Sequence, residues 1–456
     1  MNAHNRTRLF HRWTAVACLL GITTAAMSQH ADSNTPRTIN LHQAVEMALR
    51  HNHVVRIASF QVEEQEHAKE AARSAYFPTL RNDSTFVHVT DTQFVGVPSG
   101  AFGTVGGTAI PSQSLTLNQG GKTFETVGTG LLQPLTQLFK IKAENDVSRA
   151  DVEASRGKAR SLENQVALKV RQLYYKILVV QSLQQAIESK IRAVDDLQIE
   201  RVQQVKYGAT LDADLIESRA QALQAKQELL TSQLQLSDLR MQFNDVVGLP
   251  IKTEVALELS VPVPAESCER EQCVQLAFDS NPEIAEARAV IEKASAGVRA
   301  AKREYIPDIE AFARYSYQND VPFLAHNFGT FGIHFSYDIF DGGKKRALVR
   351  ERDAQLAEAK ENMARIRDEV EVRVQTASNK LERTRQMVAV SKELLQAREE
   401  ARRVSAQGLE QGTYLRSQAQ LTAAQELEAQ TLLLQSQLEC AQAQDELTEA
   451  IGQTAR

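Results

Sequence analysis

Long hydrophobic runs are missing from most of this chain. Beyond its N-terminal segment, no stretch of about 18 apolar residues occurs, which is the length that a helix needs to cross a bilayer. Any part of the mature chain that spans a membrane must therefore be built from strands. An excess of positive charge is missing too, because 52 Lys and Arg residues stand against 57 Asp and Glu residues. This balance excludes a nucleic-acid partner, which requires a basic surface.

Proline is absent from two long parts of the chain. All 11 prolines lie at or before Pro322, and none lies between Pro134 and Pro250. A proline inside a helix removes a hydrogen bond and clashes with the preceding turn. Both proline-free stretches are longer than a hundred residues and are rich in Gln, Ala, Glu, Leu and Arg. They are predicted to be helical.

Cysteine is scarce, with four in the chain. The first, Cys18, lies in an N-terminal segment where three arginines precede an apolar run from Trp13 to Ala26. This pattern is typical of a secretory signal peptide, predicted over residues 1–28, with cleavage after Ala26 or Ser28. Of the cysteines that remain, Cys268 and Cys273 could form a disulfide in an oxidising compartment or stay as free thiols. The sequence leaves both alternatives open.

Groups of residues that suggest catalysis are also missing. No nucleophile elbow and no Ser/His/Asp set stands out. Gly121-Lys122-Thr123 resembles the end of a phosphate-binding loop, but a strand follows where that loop requires a helix. The sequence therefore predicts no catalytic residue, no cofactor and no metal site.

The most informative feature that is present is an internal repeat. Tyr76 and Tyr305 correspond at an offset of 229 residues, and Gly208 and Gly412 correspond at an offset of 204 residues. The first half therefore contains 25 additional residues, which we place in a surface loop rich in Gly, Ser and Thr at about 95–121. The predicted organisation is a first repeat at 29–252, a linker at 253–272 and a second repeat at 273–456.

Each repeat is predicted to contain one very long helix. Between about Ile141 and Lys206, apolar residues recur every three or four positions in a narrow stripe, as in a coiled coil. At ~1.5 Å per residue this helix is ~100 Å long, which exceeds a compact domain. Two shorter helices, at about 41–75 and 211–247, have nearly the same summed length. They are therefore predicted to stack end to end beside the long helix.

The predicted strands are amphipathic. From Thr330 to Phe340 and from Ile309 to Tyr317, apolar and polar residues alternate, and the segments at about 79–90 and 122–132 show the same pattern more weakly. About ten residues with this alternation suit an outer-membrane β-barrel. Four strands cannot close, and unpaired edges are costly in lipid. Three copies would supply twelve strands and leave a lumen, whereas two copies would form a barrel filled by side chains.

Taken in order, these features resemble the TolC-like outer membrane efflux protein family. The motifs are Tyr76-Phe77-Pro78, Tyr305-Ile306-Pro307, Phe340-Asp341-Gly342-Gly343 and the glycines at the ends of the long helices. The resemblance implies a mainly α protein with an internal two-fold repeat. It also implies a homotrimer whose twelve-stranded barrel lies in outer-membrane lipid and continues into a periplasmic coiled-coil barrel. The expected partners are a periplasmic adaptor protein and an inner-membrane transporter.

Two helical turns are the candidate docking sites for the adaptor. By the family resemblance, the docking residues are Tyr207, Gly208, Ala209 and Thr210 in the first half, and Gly412, Thr413 and Tyr414 in the second. The alternative interpretation is that each glycine only caps its helix.

Carboxylates are a second candidate feature of these turns. Family members carry an acidic cluster after the second-half turn, but this chain has Arg416, Gln418 and Leu421 there. The first-half turn has Asp212, Asp214 and Glu217, which three copies could bring together as an acidic ring in the pore. They could instead simply stabilise a helix N-terminus.

The sequence thus predicts a passive outer-membrane channel, with its helical part in the periplasm, that belongs to a tripartite efflux or type I secretion system. The main alternative is a periplasmic adaptor or coiled-coil scaffold.

Overall fold

The computed structural model of the protein describes residues 37–91, 94–118, 122–262, 268–319 and 325–453. The predicted signal peptide, 1–28, lies outside these ranges. Within them, no helix combines the length and the apolar character required to cross a bilayer.

Eight helices and ten strands follow one another along the described ranges. The helices are α1 (Leu41–His51), α2 (His53–Ser74), α3 (Leu138–Lys206), α4 (Asp212–Val247), α5 (Arg270–Ser280), α6 (Pro282–Arg303), α7 (Lys344–Glu410) and α8 (Arg416–Ile451). The strands are β1 (Arg37–Ile39), β2 (Thr79–His88), β3 (Phe94–Val97), β4 (Thr104–Val105), β5 (Thr108–Ala109), β6 (Leu115–Asn118), β7 (Thr123–Pro134), β8 (Val255–Leu257), β9 (Asp308–Asn319) and β10 (Asn327–Ser336).

The helices of the two halves have matching lengths. Helices α1 and α5 have 11 residues each, α2 and α6 have 22 each, and α4 and α8 have 36 each. The long helices α3 and α7 have 69 and 67 residues, so each is ~100 Å long. The predicted start of the first long helix, at about Ile141, is three residues too late.

The single helix predicted over 41–75 is wrong, because the chain breaks at Asn52 between α1 and α2. Asn52 takes an extended conformation, and its side chain accepts a hydrogen bond from the Val54 N–H. Its amide donates to the Val246 carbonyl, 3.0 Å away at the end of α4. Asn281 does the same between α5 and α6, with its amide donating to the Ala450 carbonyl at 2.9 Å. Each asparagine therefore joins a helix N-terminus to the C-terminus of the helix stacked against it.

The helices pack in a layer with α3 in a central position. At one end of the molecule α3 contacts α2 and α6, and at the other end it contacts α4 and α8. Helix α7 packs against α6 and α8. One apolar cluster is centred on Tyr174, Phe243 and Leu438, and a second on Val370, Val374 and Leu447. Next to the turns that end the long helices, the helices lie in the order α4-α3-α8-α7. We call this part the lower layer, and α4 and α7 lie on its two outer sides.

The main sheet has four antiparallel strands in the order β10-β9-β7-β2. Three strands lie within two residues of their predicted bounds. The predicted strand over 330–340 is wrong at its end, because β10 ends at Ser336, which pairs with Asp308. The next partner would be Pro307, whose nitrogen has no hydrogen to donate to a ladder.

The prediction of a plain surface loop at about 95–121 is also wrong over the described residues 95–118. Strands β3 and β6 pair with each other, and so do the shorter strands β4 and β5. The insertion is therefore a β-structured extension of the hairpin formed by β2 and β7. Residues 119–121 lie outside the described ranges.

The linker between the halves is attached to α3. Strands β1 and β8 pair in parallel, and the buried Tyr174 hydroxyl donates to the Glu258 carbonyl oxygen at 2.6 Å. A disulfide joins Cys268 to Cys273, which settles the alternative that the sequence left open. Cys440 is a buried free thiol.

Candidate functional site

The two turns that connect the long helices to their return helices have the same backbone geometry. Gly208 and Gly412 have φ angles of +69° and +72°, a conformation that side chains with a Cβ rarely adopt. One residue later, the Ala209 N–H donates to the Gln204 carbonyl at 2.8 Å. The Thr413 N–H donates to the Gly408 carbonyl at the same distance. We call residues 207–214 the first tip and residues 411–418 the second tip.

In the first tip, Asp214 is hydrogen-bonded within its own turn. Its carboxylate accepts from the Thr210 hydroxyl and, at 3.4 Å, from the Leu211 N–H. The Thr210 hydrogen bond, then the Leu211 N–H and the positive charge of Arg201, lower the pKa of Asp214 below its usual value. Asp214 thus stabilises the start of α4. Asp212 and Glu217 are exposed, and the Gln221 amide donates to Glu217 at 3.2 Å.

The second tip is attached to α3 instead. The Ser417 N–H donates to Glu200 of α3 at 2.9 Å, and the Ser417 hydroxyl donates to the other oxygen of the same carboxylate. Arg416 Nε lies 3.2 Å from Asp196 Oδ2. We call these contacts the α3–α8 clasp. Asp196 and Glu200 were not predicted as site residues, although their spacing of four residues places both on one face of α3.

The aromatic residues of the tips differ in exposure. Tyr207 is 79% exposed, whereas Tyr414 is 41% exposed because its ring lies against Gly408. A side chain at Gly408 would overlap with that ring. The structure therefore places the predicted docking residues at two tips, of which the first presents the larger free apolar surface.

The outer face of α4 carries an apolar stripe that the protomer does not cover. Its exposed members are Ile216, Leu223, Leu230, Leu234 and Met241. Helix α7 carries a similar exposed set, with Met387, Val390, Leu394 and Val404. Successive members on α4 lie four or seven residues apart, and those on α7 lie three, four and ten residues apart. These spacings are typical of a coiled-coil seam. We call them the α4 stripe and the α7 stripe.

The four-stranded sheet has one apolar and one polar face. The register places Phe331, Ile333 and Phe335 of β10 opposite Ala313, Ala311 and Ile309 of β9 on one face. All three β10 residues are exposed in the protomer. On the other face, Arg314 extends across Gly128 towards Asp83, with its Nη1 3.8 Å from Asp83 Oδ2. A side chain at Gly128 would occupy the position of the Arg314 guanidinium group.

Residues 273–453 match the family model described as outer membrane efflux protein. No curated protein sequence matches the chain.

Several solved structures share the fold over most of their length. A membrane protein from Pseudomonas aeruginosa has 17% identity and a TM-score of 0.73, with coverage of 91% of this chain and 90% of that one. The outer membrane protein VceC of Vibrio cholerae has 14% identity and a TM-score of 0.72, with coverage of 91% and 97%. The CmeC outer membrane channel of Campylobacter jejuni has 13% identity and a TM-score of 0.72, with coverage of 94% and 92%.

Proposed function

We propose that this chain is one protomer of a passive channel through the outer membrane. The premise is that residues 273–453 match the model of the outer membrane efflux protein family. The predicted resemblance to that family is confirmed, and the family and the matched channels agree with the prediction of a protein that is not an enzyme. The helical part would lie in the periplasm, as the sequence predicted.

The observation that carries this proposal is the open, amphipathic sheet. Within the described ranges, strands β2 and β10 each pair on one side only, and the apolar face of the sheet is exposed. In lipid, unpaired backbone groups at both edges would cost several kcal/mol each. Pairing β2 of one copy with β10 of the next would remove these edges. Three copies would give twelve strands, with the polar face towards a lumen.

The helical layer supports the same arrangement. The α4 stripe and the α7 stripe lie on the two outer sides of the lower layer, so that a ring of copies brings the α4 stripe of one copy against the α7 stripe of the next. Burying exposed aliphatic side chains contributes about 1.5–3 kcal/mol for each one fully buried. A closed ring of helices below a closed barrel is therefore the arrangement that covers both sets of apolar surface.

The two tips are the proposed contact with a periplasmic adaptor, which would connect the channel to an inner-membrane transporter. This role rests on the family and on the position of the tips at the far end of the long helices. Export of small molecules and type I secretion of polypeptides both fit a conduit of this kind. The alternative of an adaptor protein predicts one helical hairpin between small β-domains, whereas this chain has two hairpins and a shared sheet.

The test is the state of the mature protein in cells and in detergent. We expect it in the outer-membrane fraction, as a trimer whose gel migration changes on heating. Leu223→Asp combined with Leu230→Asp would place charges in the α4 stripe, and we expect the trimer to dissociate. Gln224→Asp combined with Thr231→Asp adds the same charges one position away and is the control. Recovery of the unaltered protein as a water-soluble monomer would refute the channel.

A further inference from the structure

The insertion in the first half contains no charged side chain. Between Asp91 and Lys122 there is no Asp, Glu, Lys, Arg or His, in a chain whose charged residues make up 24% of the total. The corresponding connection of the second half, between β9 and β10, is much shorter. A long uncharged segment next to solvent is unusual in so polar a protein, which indicates a specific environment for it.

The described part of this insertion, residues 94–118, is an ordered β-arm. Strands β3 and β6 pair along its base. Near its end the Phe102 N–H donates to the Ile110 carbonyl at 2.9 Å, and the Ile110 N–H donates to the Gly103 carbonyl at 2.8 Å. The Ser99 hydroxyl donates to the Pro111 carbonyl at 3.1 Å. These hydrogen bonds hold the arm in one conformation, so that it can present its side chains to a partner as a defined surface.

One face of the arm is aliphatic. The register pairs Val95 with Leu117 and Val97 with Leu115, so that these four side chains share a face. The opposite face carries Phe94, Gly96 and Thr116. Leu115, Val95 and Leu117 are 49%, 40% and 39% exposed. We call Val95, Val97, Leu115 and Leu117 the arm face. The described part of the chain leaves three of these four side chains exposed.

We propose that the arm faces of three copies pack against one another beyond the outer end of the barrel, an inference that rests on the trimeric channel proposed above. The arm continues the hairpin of β2 and β7, and β2 is the edge strand at which the next copy would join. The arm therefore begins beside the boundary between copies. The occupant of its apolar face is the same face of a sister copy.

Charge and length both favour this occupant. Identical segments that converge on a three-fold axis bring identical charges together, and like charges at close range repel. A segment without charges avoids that repulsion. Strand β3 alone, Phe94–Val97, spans about 13 Å at ~3.3 Å per residue, and the arm continues beyond it to β4 and β5. A barrel of twelve strands spaced ~4.8 Å apart and tilted by ~40° has a radius of only about 12 Å. The arms are thus long enough to meet on the axis.

The consequence is an outer mouth that is narrower than the barrel and lined by uncharged groups. Export would then require the arms to separate, whereas a barrel without arms would remain fully open. The polar lumen and the uncharged mouth would form two successive environments for an exported molecule.

Cysteine cross-linking tests the proposal directly. Leu117→Cys places a thiol on the arm face, and Thr116→Cys places one on the opposite face as a matched control. Among the described residues Cys268 and Cys273 are joined and Cys440 is buried, so the new thiol is the accessible one. With a short bifunctional maleimide on intact outer membranes, we expect covalent dimers from Leu117→Cys and few from Thr116→Cys.

The outcomes separate the arm from the channel. If heat-modifiable trimers form and both variants cross-link equally or not at all, the arm proposal is wrong while the channel stands. Labelling of Leu117→Cys by a lipid-confined maleimide, without dimers, would assign the face to the membrane and also contradict the proposal. If no trimer forms, the proposed function itself fails.

Conductance provides a second measurement. We expect replacement of residues 94–118 by a short Gly/Ser linker to increase single-channel conductance in planar bilayers severalfold. Leu115→Ser combined with Leu117→Ser retains the length of the arm and should produce an intermediate increase. Unchanged conductance in both trimeric variants would contradict the proposal.

Discussion

The two tips share a backbone but differ in what holds them. In both, a glycine takes a positive φ, a leucine follows in extended conformation, and a side chain three residues later accepts that leucine's N–H. The acceptor is Asp214 in the first tip and Gln418 in the second. Beyond these positions the tips diverge. The second is joined to α3 by the α3–α8 clasp, whereas the side-chain hydrogen bonds of the first, over the described residues, stay within its own turn.

This difference separates two kinds of residue. The positions that determine the turn have equivalent chemistry in both tips, since any helix-to-helix connection of this length needs them. The positions that meet a neighbouring element have opposite character, as with Asp212 and its counterpart Arg416. The second tip is therefore fixed to the protomer, and the first offers more free surface to a partner.

The largest expected effect tests what the tips share. Gly208→Val and Gly412→Val force a β-branched residue into the left-handed region, which costs about 1–2 kcal/mol or more. Space around both positions is open, so the strain lies in the backbone alone. We expect heat-stable trimers but a loss of export, measured as increased sensitivity of cells to an exported compound. Gln224→Val, at an exposed position of α4 outside the first tip, is the control. Unchanged export in both variants would show that the tips are not the docking surface.

The next effect should appear at the second tip only. Glu200→Ala removes the acceptor of two hydrogen bonds at the start of α8 and is expected to destabilise that turn by about 1–3 kcal/mol. Hydrogen exchange should accelerate over residues 412–420 and stay the same over 208–216. Equal acceleration at both tips would mean that the α3–α8 clasp does not account for their difference.

A smaller effect is expected from the exposed part of the clasp. The Arg416 side chain is 71% exposed, and its pair with Asp196 should contribute no more than about 1 kcal/mol. Arg416→Ala should therefore accelerate exchange over 412–420 much less than Glu200→Ala does. The effect of Glu200→Ala should change little with salt, because the hydrogen bonds to Ser417 are partly buried, whereas the effect of Arg416→Ala should decrease. A larger effect of Arg416→Ala would reverse this ranking.

The smallest effect concerns pH. Hydrogen bonds from Thr210 and Leu211 lower the pKa of Asp214 in the folded state. The stability that ionised Asp214 gives to the first tip is therefore fully present above the ordinary aspartate pKa. It is lost as the pH falls through the lowered pKa. After correction for the intrinsic pH dependence of amide exchange, protection at the first tip should fall in acid, and Asp214→Asn should remove this fall. Gln418→Glu should introduce a similar dependence at the second tip, at a pH appropriate to a glutamate. An unchanged acid response in Asp214→Asn would assign the response to other groups.

Local signals in the sequence predicted much of this fold. The tip glycines, the long apolar stripes and the Tyr-x-Pro motifs that precede strands each act within a few residues, so the helices and most strand bounds could be derived from them. The break at Asn52 was missed because helical periodicity continues on both sides of it. The Asn52 amide also bonds to Val246, which is distant in sequence and which no local pattern predicts.

Long-range contacts account for the other differences. Glu200 and Ser417 lie 217 residues apart, and no local pattern predicts that they meet. The early end of β10 depends on Pro307, to which it is adjacent only through the pairing of two strands. The arm was predicted as a loop because its glycines, serines and threonines are typical of loops, whereas its pairing depends on the alternation of four aliphatic side chains.

The interrupted helices at Asn52 and Asn281 also have a mechanical meaning. Helices α3 and α7 run without a break, whereas the shorter helices beside them meet end to end, α2 with α4 at Asn52 and α6 with α8 at Asn281. A junction between two helix ends resists bending less than a continuous helix does. In the proposed ring of copies, the part next to the tips would therefore widen more readily than the part next to the barrel.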